Sequence, residues 1–540
     1  MKKGILLAIL TTCILALNGQ DKYFVEFIDK KGTPYIVENP MEFLAFKAIE
    51  RRTKQNISIT EIDLPVSPTY IHYLKSAGAK VLYSLKWFNG AVVELNNPEV
   101  LNEINNLSFV ASTKKIFDSG AKKTATPEEE IYAVYKSKKD QQDYYSYGSS
   151  ANQIKMLNGH SLHNMGFRGQ GITIAVLDGG FYKADILPAF DSLWVNNRIV
   201  HTHDFVNPHS DIYQEHSHGM LVLSVMASNI PEQIVGAAPE ANYVLIRCED
   251  TSSEQIIEEY NWAAAAELAD SLGVDIINSS LGYYDYDATW QSHSYANMDG
   301  NTTPIAKSAN IAAEKGMLVV ASAGNEATNS WKYIITPADA MGSLAVGAVN
   351  ANGAYVDFSS IGPSADGRVK PDVVAQGYRT AVQATSGNIG TADGTSLSAP
   401  IISGLAACLW QALPSLTAQE LMSKIIQSAD SYSNPNYLKG YGIPNFLVAM
   451  DSLSQSVKRD RLEIFPNPSQ NRVKIKLPLP VNTQYSVLLA TISGVVVHFE
   501  ESKSISFEHT IQLPSTLPSG IYLVQLTSHF GTSVGKLMKN

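Results

Sequence analysis

Cysteine is nearly absent from this 540-residue chain: there are three, at positions 13, 248 and 408, with no C-x-x-C spacing. That excludes a disulfide framework and a zinc cluster, and the apolar surroundings of Cys248 and Cys408 place both in the core. Positive charge is also scarce. Lys and Arg number 41 against 51 Asp and Glu, a formal charge of −10, so no basic surface is offered to a phosphate backbone and nucleic acid is not expected as a partner. Long apolar runs are missing too. The run from Gly4 to Leu17 follows Lys2 and Lys3 and is too short to span a bilayer comfortably, so residues 1–20 read as a secretory signal peptide. A dinucleotide-binding turn is not evident, because Gly169-Gln170-Gly171 precedes the apolar run ITIAVLD instead of following it. His201, His203, His209 and His216 lack tight ligand spacing, and their stretch reads as surface loops.

What is present is a sequence that changes character three times, with 45% hydrophobic residues to build several cores. Residues 21–116 alternate strand-like and helical segments and predict a small, autonomous α+β domain. Residues 117–150 are rich in charge, Ser and Gly and predict an exposed linker open to proteolysis. From 151 to 456, apolar runs (GITIAVLD, ANYVLIRC, VDIINSSLG, MLVVASAGN, SLAVGAV) alternate with helical segments, the pattern of a parallel sheet with helices on both faces. Residues 461–540 carry short alternating runs between Gly, Pro and Ser, as a β-sandwich does.

In an open parallel sheet, ligands gather at the carboxyl ends of the strands. ITIAVLDGG delivers Asp178 there, VDIINSSLG ends at Ser280-Leu281-Gly282, and MLVVASAGNE ends at Asn325. His218 opens an apolar helix, and Ser396 in DGTSLSAP opens another, with Pro400 expected in its first turn, where a missing N–H costs nothing. Singly, each of these residues is explained as a cap or a turn former. Together they supply what acyl transfer requires: a hydroxyl nucleophile, an imidazole base, a carboxylate to hold its tautomer, and a donor for the oxyanion. An α/β-hydrolase is excluded by chain order, since its His comes last, and Ser398 replaces the second Gly of its G-x-S-x-G.

These motifs, in the order Asp178, His218, Ser396, resemble those of the subtilisin-like serine proteases, the subtilases. The resemblance implies a secreted serine endopeptidase of α/β fold acting on polypeptides through an acyl-enzyme. It implies catalytic Asp178, His218 and Ser396, oxyanion donation by Asn325, and a substrate-binding strand at Ser280, Leu281 and Gly282. No cofactor is implied for catalysis; structural calcium is common in the family, with no ligands assignable here. Gly179 stands where the family has Ser or Thr, Met220 where it has Thr, and Tyr283 and Tyr284, where Gly is usual, are expected to narrow the binding groove. His216 competes with His218 but lacks the following Gly. Residues 21–116 resemble subtilase propeptides, which implies an autoinhibited precursor cut within 117–150. The C-terminal module, with Phe465-Pro466-Asn467-Pro468, SGIYLV and the terminal GTSVGKLMKN, resembles the sorting domain of the type IX (Por) secretion system. That resemblance implies outer-membrane export machinery as a partner and a secreted or surface location in a Gram-negative bacterium of the Bacteroidetes. The alternative is a catalytically inactive protein of the same fold serving as a secreted binding or surface protein.

Overall fold

The computed structural model describes residues 20–125, 128–133, 143–450, 462–477, 483–491, 495–504, 508–528 and 531–540. Residues 1–19 of the signal peptide and the boundary expected between 456 and 461 lie outside them. The chain divides into two compact units, Met1–Phe446 and Leu447–Asn540. No helix among the described residues is long and apolar enough to cross a membrane.

The first unit opens with β1 (Asp21–Phe27), α1 (Phe46–Lys54), α2 (Pro68–Ser76), β2 (Lys80–Leu85), β3 (Gly90–Leu95), α3 (Pro98–Asn105) and β4 (Val110–Phe117). The strands form one antiparallel sheet in the order β2-β3-β1-β4. Alternation along β1 and β3 turns Val25, Phe27 and Val93 toward Leu74 and Ile104 of the helices. The opposite face carries Phe24, Leu85 and Val92, and it is covered as well, so every residue of β3 is buried. The sheet thus carries a core of its own on one face and is covered on the other by the rest of the unit.

After β5 (Tyr132–Ala133) comes the larger part. Two short helices, α4 (Ala151–Lys155) and α5 (Gly159–Asn164), lead into β6 (Thr173–Asp178). Then follow α6 (Asp191–Val195), β7 (Ile199–Asp204), α7 (His218–Ala227), the two-residue strands β8 (Asn229–Ile230) and β9 (Ile234–Val235), β10 (Asn242–Arg247) and α8 (Ile257–Leu272). The sheet is completed by β11 (Ile276–Ser279), β12 (Leu318–Ser322), β13 (Ser343–Val349) and β14 (Val373–Gln376), with α9 (Pro304–Glu314) crossing between β11 and β12. A hairpin of β15 (Thr380–Gln383) and β16 (Ile389–Ala392) precedes α10 (Thr395–Ala412) and α11 (Ala418–Gln427).

The seven-stranded parallel sheet runs β14-β13-β12-β11-β6-β10-β7. Strands β6, β11, β12, β13 and β14 are buried throughout, as a sheet covered on both faces requires, which is why they read as unbroken apolar runs. Chain order reverses between β6 and β11, opening a crevice at their carboxyl ends beside Asp178 and Ser280. The stretch read as surface loops around His201 and His203 is instead the edge strand β7, paired with β10. Its half-exposed alternation of polar residues hid it.

The first sheet docks on α8 through an apolar core, in which Phe24, Leu85, Trp87, Val92 and Ile116 join Tyr260, Ala263 and Ala266 of the helix, with a cluster of buried charges beside it. Asp270 of α8 lies 2.6 Å from Arg51, 2.7 Å from Arg52 and 3.2 Å from Lys86, and Arg52 and Lys315 share Asp63 at 3.0 Å. Glu267 accepts the backbone N–H groups of Lys86 and Trp87, each at 2.8 Å. Burial alone raises a carboxylic acid, and it carries Glu267 to about 7; at Asp270 the three cations prevail and hold it at about 2.

In the second unit β17 (Ile464–Phe465), β18 (Arg472–Lys476) and β21 (Glu508–Gln512) form one sheet. Strands β19 (Gln484–Thr491), β20 (Val496–Lys503), β22 (Gly520–Ser528) and β23 (Gly531–Lys539) form the other. Alternate residues Val473, Ile475, Val487, Leu489, Val524 and Leu526 fill the core.

Candidate active site

Asp178 closes β6 and is fully buried. Its Oδ1 accepts the Gly179 N–H at 2.8 Å and lies 2.7 Å from Nδ1 of His218, the first residue of α7. Gly219 permits that approach: a β-carbon there would stand 2.4 Å from the Gly180 carbonyl oxygen and 2.8 Å from Asp178 Cβ. The glycine that distinguishes His218 from His216 in sequence is thus a steric condition for packing α7 on Asp178. His216 does not reach Asp178; its Nδ1 accepts the His218 backbone N–H at 3.3 Å. Burial by itself makes His218 harder to charge, but the Asp178 carboxylate, its hydrogen bond and Glu129 outweigh burial and raise the imidazole to about 10.

Ser396 is the second residue of α10, a helix apolar on nearly all sides and buried at every position but one. Its Oγ is buried and has no hydrogen-bond partner. Pro400 does not sit in the first turn as expected; it is the sixth residue, inside the helix. A proline there leaves the carbonyl four residues earlier without its helical donor. That carbonyl belongs to Ser396, and Ser280 Oγ donates to it at 2.7 Å. Ser280 is tied in turn to Asn278 at 3.1 Å, and Asn278 to Ser403 at 2.8 Å, so three polar side chains stitch β11 to α10.

Asn325 follows β12. Its Oδ1 accepts from both the N–H and the hydroxyl of Thr395, each at 2.9 Å, and this turns its Nδ2 toward the Ser396 side. Nδ2 and Ser396 Oγ flank Gly394, 3.8 and 2.8 Å from where its β-carbon would project. Leu281 is buried and Gly282 abuts Ile335. Tyr283, expected at the groove, points inward and is 2% exposed, while its backbone pairs with Thr336. Tyr284 stacks on Trp331 and donates to Glu326 at 3.1 Å.

Three contributors were not legible beforehand. Thr395 orients Asn325; Arg247 holds the Gly179 carbonyl at 3.0 Å while pairing with Asp204 and Glu215. The third is the linker itself. Expected to be exposed, it is so only in part: Tyr145, Tyr147 and Ser150 are buried, Glu129 is half-buried with Oε1 3.9 Å from His218 Nε2, Glu128 accepts from Ser217, and β5 pairs with Gly390 and Thr391 of β16. Upstream, Gln255 clasps Asp118 with hydrogen bonds of 2.6 and 3.1 Å. An acidic segment therefore runs past the imidazole and onto the strand that leads to Ser396.

A parallel α/β sheet with a buried carboxylate–imidazole pair at its switch point and a serine at the head of a buried helix is the architecture of a hydrolase. Residues 169–443 match the model of the subtilase family, 22–130 that of the Bacteroidota peptidase S8 propeptide domain, and 463–540 that of the secretion system C-terminal sorting domain. The chain belongs to the subtilase family. It is 27% identical over 300 residues to subtilisin NAT of Bacillus subtilis subsp. natto, a match covering 55% of this chain and 70% of that protein. It is 28% identical to serine protease AprX of Bacillus subtilis (strain 168) over 309 residues, 51% of this chain and 65% of that one. Among solved structures, the MycP3 protease from the type VII (ESX-3) secretion system gives a TM-score of 0.46 at 21% identity, covering 61% of this chain and 94% of the other. The protein is a subtilisin-like serine endopeptidase with a propeptide, and its sorting domain makes it a secreted or cell-surface protein of the Bacteroidetes.

Proposed function

We propose that this protein cleaves polypeptides with Ser396 as nucleophile, His218 as general base and Asp178 as the carboxylate that fixes the imidazole. The observation that carries the reading is the 2.7 Å contact between Asp178 Oδ1 and His218 Nδ1 at the fully buried end of β6. It leaves Nε2 as the nitrogen directed at a reacting group. His218 takes the Ser396 proton as Oγ attacks the scissile carbonyl, and Asp178 stabilises the imidazolium. Asn325 Nδ2 and the Ser396 backbone N–H receive the oxyanion at the positive end of α10. The amine leaves with the proton from His218, and water then releases the acyl-enzyme by the same route. Removing Asn325's donor costs on the order of a hundred- to a thousand-fold in turnover. The segment Ser280–Gly282 serves peptide binding through its backbone, since Ser280's hydroxyl is committed to the Ser396 carbonyl.

In this reading the chain is made as an inactive precursor, and residues 128–133 are the inhibitory tail. Glu129 faces His218 and favours its charged form, which cannot accept a proton from Ser396. Release of the tail frees the base. The sorting domain hands the protein to outer-membrane export machinery. The test is a fluorophosphonate probe on processed protein beside a Ser396→Ala variant, read by intact mass. One adduct on the wild type and none on the variant is the expected result; no adduct on folded, processed wild type rejects the assignment.

A further inference from the structure

Helix α8 carries four buried carboxylates, and three of them are satisfied. Glu259 receives Tyr286 Oη at 2.6 Å, the Ile305 N–H at 3.0 Å and His293; Glu267 and Asp270 are paired as described. Glu258 is the exception. It is 0% exposed, and both of its oxygens are buried without a hydrogen-bond partner. A carboxylate in that state is among the costliest things a protein can bury.

Glu258 faces Glu249, which follows β10, and Glu254, in the turn before α8. One carboxylate oxygen from each lies within 4.8 Å of the others. A second, independent group points the same way: Tyr283 is 2% exposed, its hydroxyl has no partner, and the charges bearing on it include Glu249, Glu258 and Glu254. Among the described residues, His218 and Arg247 bear on Glu249 alone. The charged groups acting on Glu254 and Glu258 are all acids, and the nearby Arg247 is engaged by Asp204, Glu215 and the Gly179 carbonyl.

An all-oxygen, strongly anionic donor set, with Glu249 and Glu258 buried and Glu254 half-buried, suits a hard divalent cation. Calcium binds oxygen at roughly 2.3–2.6 Å, so ligands on opposite sides of one ion stand roughly 4.6–5.2 Å apart. The three carboxylates fit within that span. We propose that Glu249, Glu254 and Glu258, with the Tyr283 hydroxyl at the wall, bind one calcium-class divalent cation.

The site adjoins the chemistry without belonging to it. Glu249 Oε2 lies 3.1 Å, and Thr251 Cγ2 2.8 Å, from where a β-carbon on residue 179 would project. This accounts for glycine at a position where the family has Ser or Thr. A cation holding Glu249 fixes the loop against the residue after Asp178, so loading stiffens the floor of the active site from behind.

The experiment uses the full chain, stripped of metal and titrated with CaCl2, comparing wild type with Glu258→Gln. Bound calcium is counted by elemental analysis and the melting temperature is followed. The expected result is one equivalent fewer in Glu258→Gln and loss of most of the calcium-dependent rise in melting temperature. The same stoichiometry and the same rise in both proteins, or no calcium bound by the wild type, overturns the proposal. Because Glu258→Gln could fail to fold, Tb3+ is used in parallel as a luminescent stand-in. Tyrosine-sensitised emission in the wild type that falls at least several-fold in Tyr283→Phe supports the site; emission that is absent in the wild type or unchanged in the variant overturns it.

Discussion

Helices α8 and α10 are buried to nearly the same degree and are built from opposite materials. Helix α10 has no charged residue at all; the hydroxyls of Thr395, Ser398 and Ser403 donate to Asn325, the Ala375 carbonyl and Asn278, while that of Ser396 is left without a partner. Helix α8 buries Glu258, Glu259, Glu267 and Asp270. The first is the core behind Ser396, where burial of apolar side chains holds the proposed nucleophile still. The second meets Arg51, Arg52 and Lys86 of the propeptide, a contact that, under the proposed function, must separate. The same contact buries Phe24, Leu85, Trp87 and Val92, so separation exposes apolar surface as well as returning charges to water.

That contrast can be broken from either side. Asp270→Ala strands three cations at once, and loss of one member of a buried pair costs about 3–5 kcal/mol. Inhibition of processed enzyme by separately added propeptide should weaken by on the order of a hundred-fold or more, with turnover unchanged; an unchanged inhibition constant would place the affinity elsewhere. On the α7 side, Gly219→Ala forces a β-carbon against the Gly180 carbonyl and Asp178, an overpacking that costs about 1–3 kcal/mol. Turnover should fall with stability, because the displaced group is His218.

Ser280→Ala removes the donor that answers Pro400, leaving a buried carbonyl at a cost of about 1–3 kcal/mol. Adding Pro400→Ala restores a helical N–H for the same carbonyl, so the double variant should melt above Ser280→Ala alone. Equal melting points would show that the two residues are not linked.

A further effect is one of pH. His218 is raised from its ordinary 6.5 to about 10 in the folded chain. A base with a raised folded pKa contributes stability that is full below 6.5 and lost as pH rises through about 10. The melting temperature of unprocessed Ser396→Ala protein should therefore fall across that window, and Glu129→Gln should flatten the fall by removing one of the charges that hold the proton on.

Much of the site was legible because its chemistry is local. Asp178, Ser280 and Asn325 follow apolar strands closely enough that the sheet delivers them to one edge, and His218-Gly219 and Gly394-Thr395-Ser396 mark two helix starts. What escaped depends on partners far apart in sequence. Pro400 reads as an ordinary first-turn proline until Ser280 is seen beside the Ser396 carbonyl. Nothing local in the sequence marks the acids of α8 as buried; their partners Arg51, Arg52 and Lys86 lie more than 180 residues upstream. Strand β7 was hidden by its histidines, and the linker's polar composition gave no sign that Glu129 would stand at His218.

The most direct test of the account is the fate of the precursor. Wild-type and Ser396→Ala chains are purified side by side and their intact masses measured. The account predicts that the wild type separates into propeptide and enzyme by a cut within residues 117–150, while Ser396→Ala stays whole with its propeptide docked on α8. Processing of Ser396→Ala at the same bond and rate, with no other protease present, would contradict it.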